Sequence, residues 1–180
     1  MIVPGHFVTR MTAGFTGPSR RVFLWKPIVE PPFTDRQVEV VIAHELGHLA
    51  HGHVWRSLGW YALFAFPAAF LVGRATRRRG GMGEPAAVPL ALLLLVALEL
   101  VALPLRNAAT RRMEVEADWA ALTATNDPAA ARQLFEEFAA ETLSEPDPPT
   151  WDYVLLESHP TLVQRLAMVE AYATSAAQSP

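Results

Sequence analysis

Two stretches nearly free of charge, Ser57 to Gly73 and Pro85 to Leu105, constrain this chain more than any other feature. The first has no charged residue and the second only Glu99. At about 1.5 Å per helical residue, each crosses or nearly crosses a hydrocarbon core roughly 30 Å thick. Arg74, Arg77, Arg78 and Arg79 with Gly80-Gly81 separate them, so the pair reads as a helical hairpin in a membrane. The alternative is a pair of buried core helices, because the first run is short for a span and contains Pro67. Trp55, Trp60 and Tyr61 at its start suit the aromatic belt at a membrane interface. Glu99 is costly against lipid and is expected to face the partner helix, a cavity or another subunit.

The rest of the chain reads as one domain into which this hairpin, residues 57–105, is inserted. At 180 residues nothing asks for a second core. The first residues lack a signal-type apolar run, so insertion is expected to come from the internal segments. Phe7 to Phe15 and Arg21 to Trp25 read as extended runs joined by the turn-rich Thr16-Gly17-Pro18-Ser19. Pro31-Pro32 break the chain, and Thr34 with Gln37 forms a capping box that starts a helix through Val40, Val41, His44 and His48. After Arg106 the sequence turns polar, and Thr110 to Thr123 reads as a helix with Glu114 and Asp118 on one face. Asp127-Pro128 caps another helix, whose stripe of Leu134, Phe135 and Phe138 reads as core. A last helix opens at Ser158-His159-Pro160, and residues 175–180 read as a disordered tail. The expected fold is mainly α with a small β hairpin or sheet (α+β).

The chemistry sits in His44-Glu45-Leu46-Gly47-His48. Four residues at 100° each bring the two imidazoles to one helix face, about a turn apart, as two ligands of a tetrahedral zinc require. Glu45 is rotated out of direct ligation and is placed to act as general base on a water at the metal. With no cysteine in the chain, every ligand must be histidine or carboxylate. The net charge of -3, without a basic patch interleaved with aromatics, gives no footprint for nucleic acid.

A catalytic zinc takes a third protein ligand and keeps an open position. A metzincin would need glycine where His51 stands and histidine where Val54 stands, so that class is excluded. His51 and His53 are then expected at the surface or in the headgroup region. Glu114 and Glu116 remain as candidates, and spacing alone does not choose between them.

The zinc helix Val40 to His48, followed after the apolar hairpin by Arg111-Arg112-Met113-Glu114-Val115-Glu116-Ala117-Asp118, resembles the integral-membrane zinc metallopeptidases that include the HtpX heat-shock protease and the type I CaaX prenyl endopeptidase. By that resemblance Glu114 is the third ligand, Asp118 orients a ligand histidine, and Glu116 is a bystander. Glu145-Pro146-Asp147-Pro148-Pro149 with Trp151, and Ser158-His159-Pro160 through Arg165, look most like the CaaX-endopeptidase branch. There the histidine lies by the scissile bond, which implies that His159 donates to the developing oxyanion with Arg165 in support. Ala13-Gly14-Phe15 is similar to the family's substrate-side edge strand, which would bind a peptide by strand addition. Thr12 stands where the family usually has asparagine, and the family carries membrane helices ahead of this hairpin, whereas here the chain starts almost at the strand.

The resemblance covers about residues 9–170 and implies one zinc per chain, a protein or peptide substrate with membrane proteins among the candidates, and an active site on the cytoplasmic side of a bilayer. Charge gives no sidedness, because the hairpin arginines are balanced by Arg56, Arg106, Arg111 and Arg112 at the other end. The alternative function is a non-catalytic membrane scaffold or adaptor that retains a structural zinc.

Overall fold

A computed structural model describes residues 2–3, 13–16 and 21–178. The strands are β1 (Ile2–Val3), β2 (Ala13–Thr16) and β3 (Arg21–Trp25). They form one sheet in the order β1-β3-β2, with β1 parallel to β3 and β2 antiparallel to it in the register Ala13 to Leu24 and Thr16 to Arg21. The start of the first extended run and the turn at 17–20 lie outside the described residues.

Six helices follow: α1 (Asp35–Ala50), α2 (His53–Thr76), α3 (Val88–Thr125), α4 (Pro128–Thr142), α5 (Thr150–Leu155) and α6 (Leu162–Gln178). Helix α1 begins where the capping box predicts: the Thr34 hydroxyl accepts from Gln37 N–H and the Gln37 side chain accepts from Thr34 N–H. Gly52, at φ 64°, turns the chain from α1 into α2, a conformation that glycine adopts without Cβ strain. The core gathers Ile28, Val40 and Val41, Ala121 and Leu122, Leu134 and Phe135, and Val169, thus closing α1, α3, α4 and α6 around one apolar centre.

Helices α2 and α3 form the expected hairpin, and both are long and apolar enough to cross a membrane. Their large apolar side chains lie largely outside the core, with Trp55 and Phe66 each 76% exposed and Val101 74%. Exposed apolar surface on this scale requires lipid or protein cover.

Three expectations are corrected. Helix α3 does not stop at the end of its apolar run. It continues through Pro104 into the Glu114 segment as one helix of 38 residues, about 57 Å at 1.5 Å per residue. A change from apolar to polar composition alters what surrounds a helix without interrupting its hydrogen bonds. Glu99 is 59% exposed and pairs with Arg106 two turns along the same helix. The tail is helical through Gln178, in keeping with Ala176 and Ala177, which are strong helix formers. Finally, α6 opens at Leu162, with Thr161 and Gln164 exchanging cap hydrogen bonds, so His159 precedes the helix and does not cap it.

Candidate active site

The helical period turns His44 and His48 toward α3, and a missing side chain lets the two helices close. A Cβ on Gly47 would lie 3.1 Å from Ala120 Cβ and 3.2 Å from Ala117 Cα. At that separation Glu114, on α3, faces both histidines. His44 Nε2 and His48 Nε2 are 3.0 Å apart, and the Glu114 carboxylate lies 3.4 Å from the first and 3.6 Å from the second. One donor atom from each of the three residues falls within 4.8 Å of the others. Two imidazoles and a carboxylate converging beside an open pocket lined by Glu45 and His159 form a donor set that suits zinc with one position left for substrate or water.

The ring nitrogens that point away from this centre are also engaged. His44 Nδ1 donates to Asp118 Oδ1 at 2.8 Å, and Asp118 is 2% exposed. The other Asp118 oxygen faces Arg165 Nε at 3.2 Å, and Arg165 Nη2 lies 3.7 Å from Glu114. The guanidinium also covers the Phe135 ring at 4.9 Å. Arg165 thus lies against both carboxylates and, with His44, Glu45 and His159, lines a further pocket beside the centre.

These neighbours set the charge states. Burial alone would depress the His44 pKa, but the hydrogen bonds His44 donates to Asp118 and Glu114, with their charges, outweigh it and raise the value to about 9. Burial together with the adjacent His44 lowers His48 to about 4. Glu114 is also buried, yet the His44 hydrogen bond and the fields of His159, His44 and His48 hold it well below the carboxylate range. Glu45 moves the other way, because burial raises it more than the charge of His44 lowers it.

His159 lies at the rim of the pocket, its Nε2 3.6 Å from Glu114 and its Nδ1 3.0 Å from the Ser158 hydroxyl. The loop that carries it is pinned by two α3 residues given no role by the sequence. Asn107 donates to Leu155 O at 2.7 Å, and Arg111 donates to Tyr153 O and Glu157 O while lying over the Tyr153 ring. Their sequence signal is weak: polar residues in the turns that follow an apolar span.

His51 is exposed, its Nδ1 bonded to Gly47 O. His53 departs from expectation. It is 3% exposed, 2.8 Å from His48 Nδ1 through its own Nδ1 and 3.0 Å from Glu116 through Nε2. Glu116 is therefore no bystander, for it takes His53 and also pairs with Arg56. The turn at Gly52 folds His53 back under His48, which no helical periodicity would reveal. Strand β2, with Ala13, Gly14 and Phe15, packs beside α1 and has β3 on one side and no strand on the other among the described residues. Thr12 lies outside the described residues.

The sequence model of peptidase family M48 matches residues 11–173. Over 164 residues the chain is 28% identical to the uncharacterized metalloprotease YhfN of Bacillus subtilis (strain 168), a match covering 86% of this chain and 38% of that protein. The crystal structure of S. mikatae Ste24p superposes with a TM-score of 0.80 at 23% identity, over 93% of this chain and 44% of the other, a likeness of fold. The chain thus spans less than half the length of either protein.

Proposed function

This chain belongs to peptidase family M48, and from that premise we propose that it is a membrane-bound zinc endopeptidase. The observation that carries the reading is the convergence of His44, His48 and Glu114 on one point with Glu45 in the same pocket. When bound there, zinc would polarise a substrate carbonyl and lower the pKa of a water toward about 7. Glu45 takes the proton of the attacking water, and its raised pKa moves it toward the range in which a general base works at neutral pH. His159, on the open side, offers an N–H to the oxyanion. Asp118 fixes the ring of His44, and Arg165 steadies Asp118 and Glu114 and supports His159 at the oxyanion through its charge.

The free edge of β2 supports a peptide substrate held by strand addition along Ala13, Gly14 and Phe15. The α2–α3 hairpin would hold the centre at a bilayer surface, on the cytoplasmic side, within reach of membrane proteins as substrates.

The test is zinc content and cleavage of an unfolded casein-like substrate by the detergent-purified chain and by Glu45→Gln. One zinc per chain in both, with cleavage only by the wild type, is the expected result. Cleavage retained by the zinc-loaded Glu45→Gln chain contradicts the role of Glu45. Zinc in both without cleavage in either turns the reading to a scaffold with a structural metal, and no zinc in either removes the metal centre.

A further inference from the structure

We propose that His53 is a positioning residue of the metal centre, holding His48 in register through a directed chain of hydrogen bonds that ends on Glu116 and Arg56. The inference rests on the reading of His48 as a zinc ligand. If His48 Nε2 offers its lone pair to the metal, the proton of the neutral ring sits on Nδ1. That Nδ1 is 2.8 Å from His53 Nδ1, which must then accept, so the His53 proton sits on Nε2. His53 Nε2 is 3.0 Å from a Glu116 oxygen, which accepts it, and Arg56 closes on the same carboxylate. Each tautomer follows from the one before, and every hydrogen bond in the chain has a donor and an acceptor. His44 has its counterpart in Asp118, so both ligand rings are fixed from behind, one directly by a carboxylate and the other by a carboxylate acting through a second imidazole.

The chain also reaches across elements. His48 is on α1, His53 and Arg56 are in the first turn of α2, and Glu116 is on α3 two residues beyond Glu114. His53 is buried beneath His48 at a ring separation of 4.9 Å, and His51 stacks against it at 5.6 Å.

Substitutions at residue 53, read through metal affinity rather than turnover, test the proposal. Zinc dissociation constants would be measured by competition with a chromophoric chelator for the detergent-purified wild type, His53→Phe, His53→Asn and Glu116→Ala. Phenylalanine fills the space but accepts no hydrogen bond, so affinity is expected to fall about 10- to 100-fold. Asparagine places Oδ1 where Nδ1 stood and is expected to recover most of the loss. Glu116→Ala frees the His53 tautomer and is expected to weaken zinc several-fold. The visible spectrum of the cobalt-loaded chain should shift in His53→Phe and return in His53→Asn, a recovery that a packing role would not produce. Equal affinity for zinc in wild type and His53→Phe overturns the proposal while leaving the metal centre intact, whereas a wild type without zinc removes the centre itself. Should His53→Phe not fold, Glu116→Ala decides, and affinity within about twofold of wild type refutes the chain.

Discussion

Replacing Gly47 by alanine sets two effects of opposite sign against each other. A mid-helix glycine costs roughly 0.5–1 kcal/mol relative to alanine, so on propensity alone the change should stabilise α1. The new Cβ, however, would sit 3.1 Å from Ala120 Cβ, 3.2 Å from Ala117 Cα and 3.3 Å from Ala117 O. Two of these are backbone atoms of α3 and have no rotamer by which to yield, so α1 and α3 must separate by a few tenths of an ångström. Overpacking of this kind costs about 1–3 kcal/mol, which leaves a net loss near 1 kcal/mol. For a chain of this size that lowers the apparent Tm of the metal-free protein by about 2–4 °C. The same separation draws Glu114 from the histidines without disturbing their mutual spacing, so zinc affinity should fall as well. Gly59→Ala is the control, because a Cβ there meets nothing within 4 Å and stability should not drop. Scanning fluorimetry and chelator competition on both variants decide, and a Gly47→Ala chain that melts higher than wild type would refute the close-approach argument.

Asp118→Ala leaves the His44 ring without its acceptor and should weaken zinc about 10- to 100-fold by chelator competition. His44 carries a proton up to about pH 9, so zinc must displace it at neutral pH. Affinity should therefore climb as pH rises from 7 to 9, with proton release seen by calorimetry in buffers of different ionisation heat; a flat profile contradicts it. The same shift stabilises the metal-free chain fully below pH 6.5 and loses that contribution as pH rises through about 9. Arg111→Met releases Tyr153 O and Glu157 O and loosens the loop that carries His159, so kcat should fall while zinc affinity holds.

What the sequence makes legible follows the range of the forces involved. The Thr34–Gln37 box and the Asp127 cap are contacts across three residues, and the structure forms both. The facing of His44 and His48 follows from one helical turn. The choice of Glu114 over Glu116 is tertiary, since it depends on how α3 is rotated about its axis, and spacing leaves it open. His53 was hidden for another reason: five residues from His48, across a left-handed glycine, it has no periodic relation to the motif. The unbroken α3 was obscured because composition reports surroundings and not backbone hydrogen bonding. Glu99 finds its countercharge at Arg106, two turns along α3 and just past the end of the apolar run.

That unbroken helix places a condition on how the chain can vary. A loop between the apolar span and Glu114 would absorb a residue gained or lost. A helix cannot, because one residue inserted between Leu105 and Glu114 would turn the carboxylate about 100° and carry it 1.5 Å along the axis, away from His44 and His48. The span and the ligand are locked in phase, like teeth cut on a single shaft. Changes of length can collect without this cost at the far end of the hairpin, around Gly80 to Glu84, where the chain leaves one helix before entering the next.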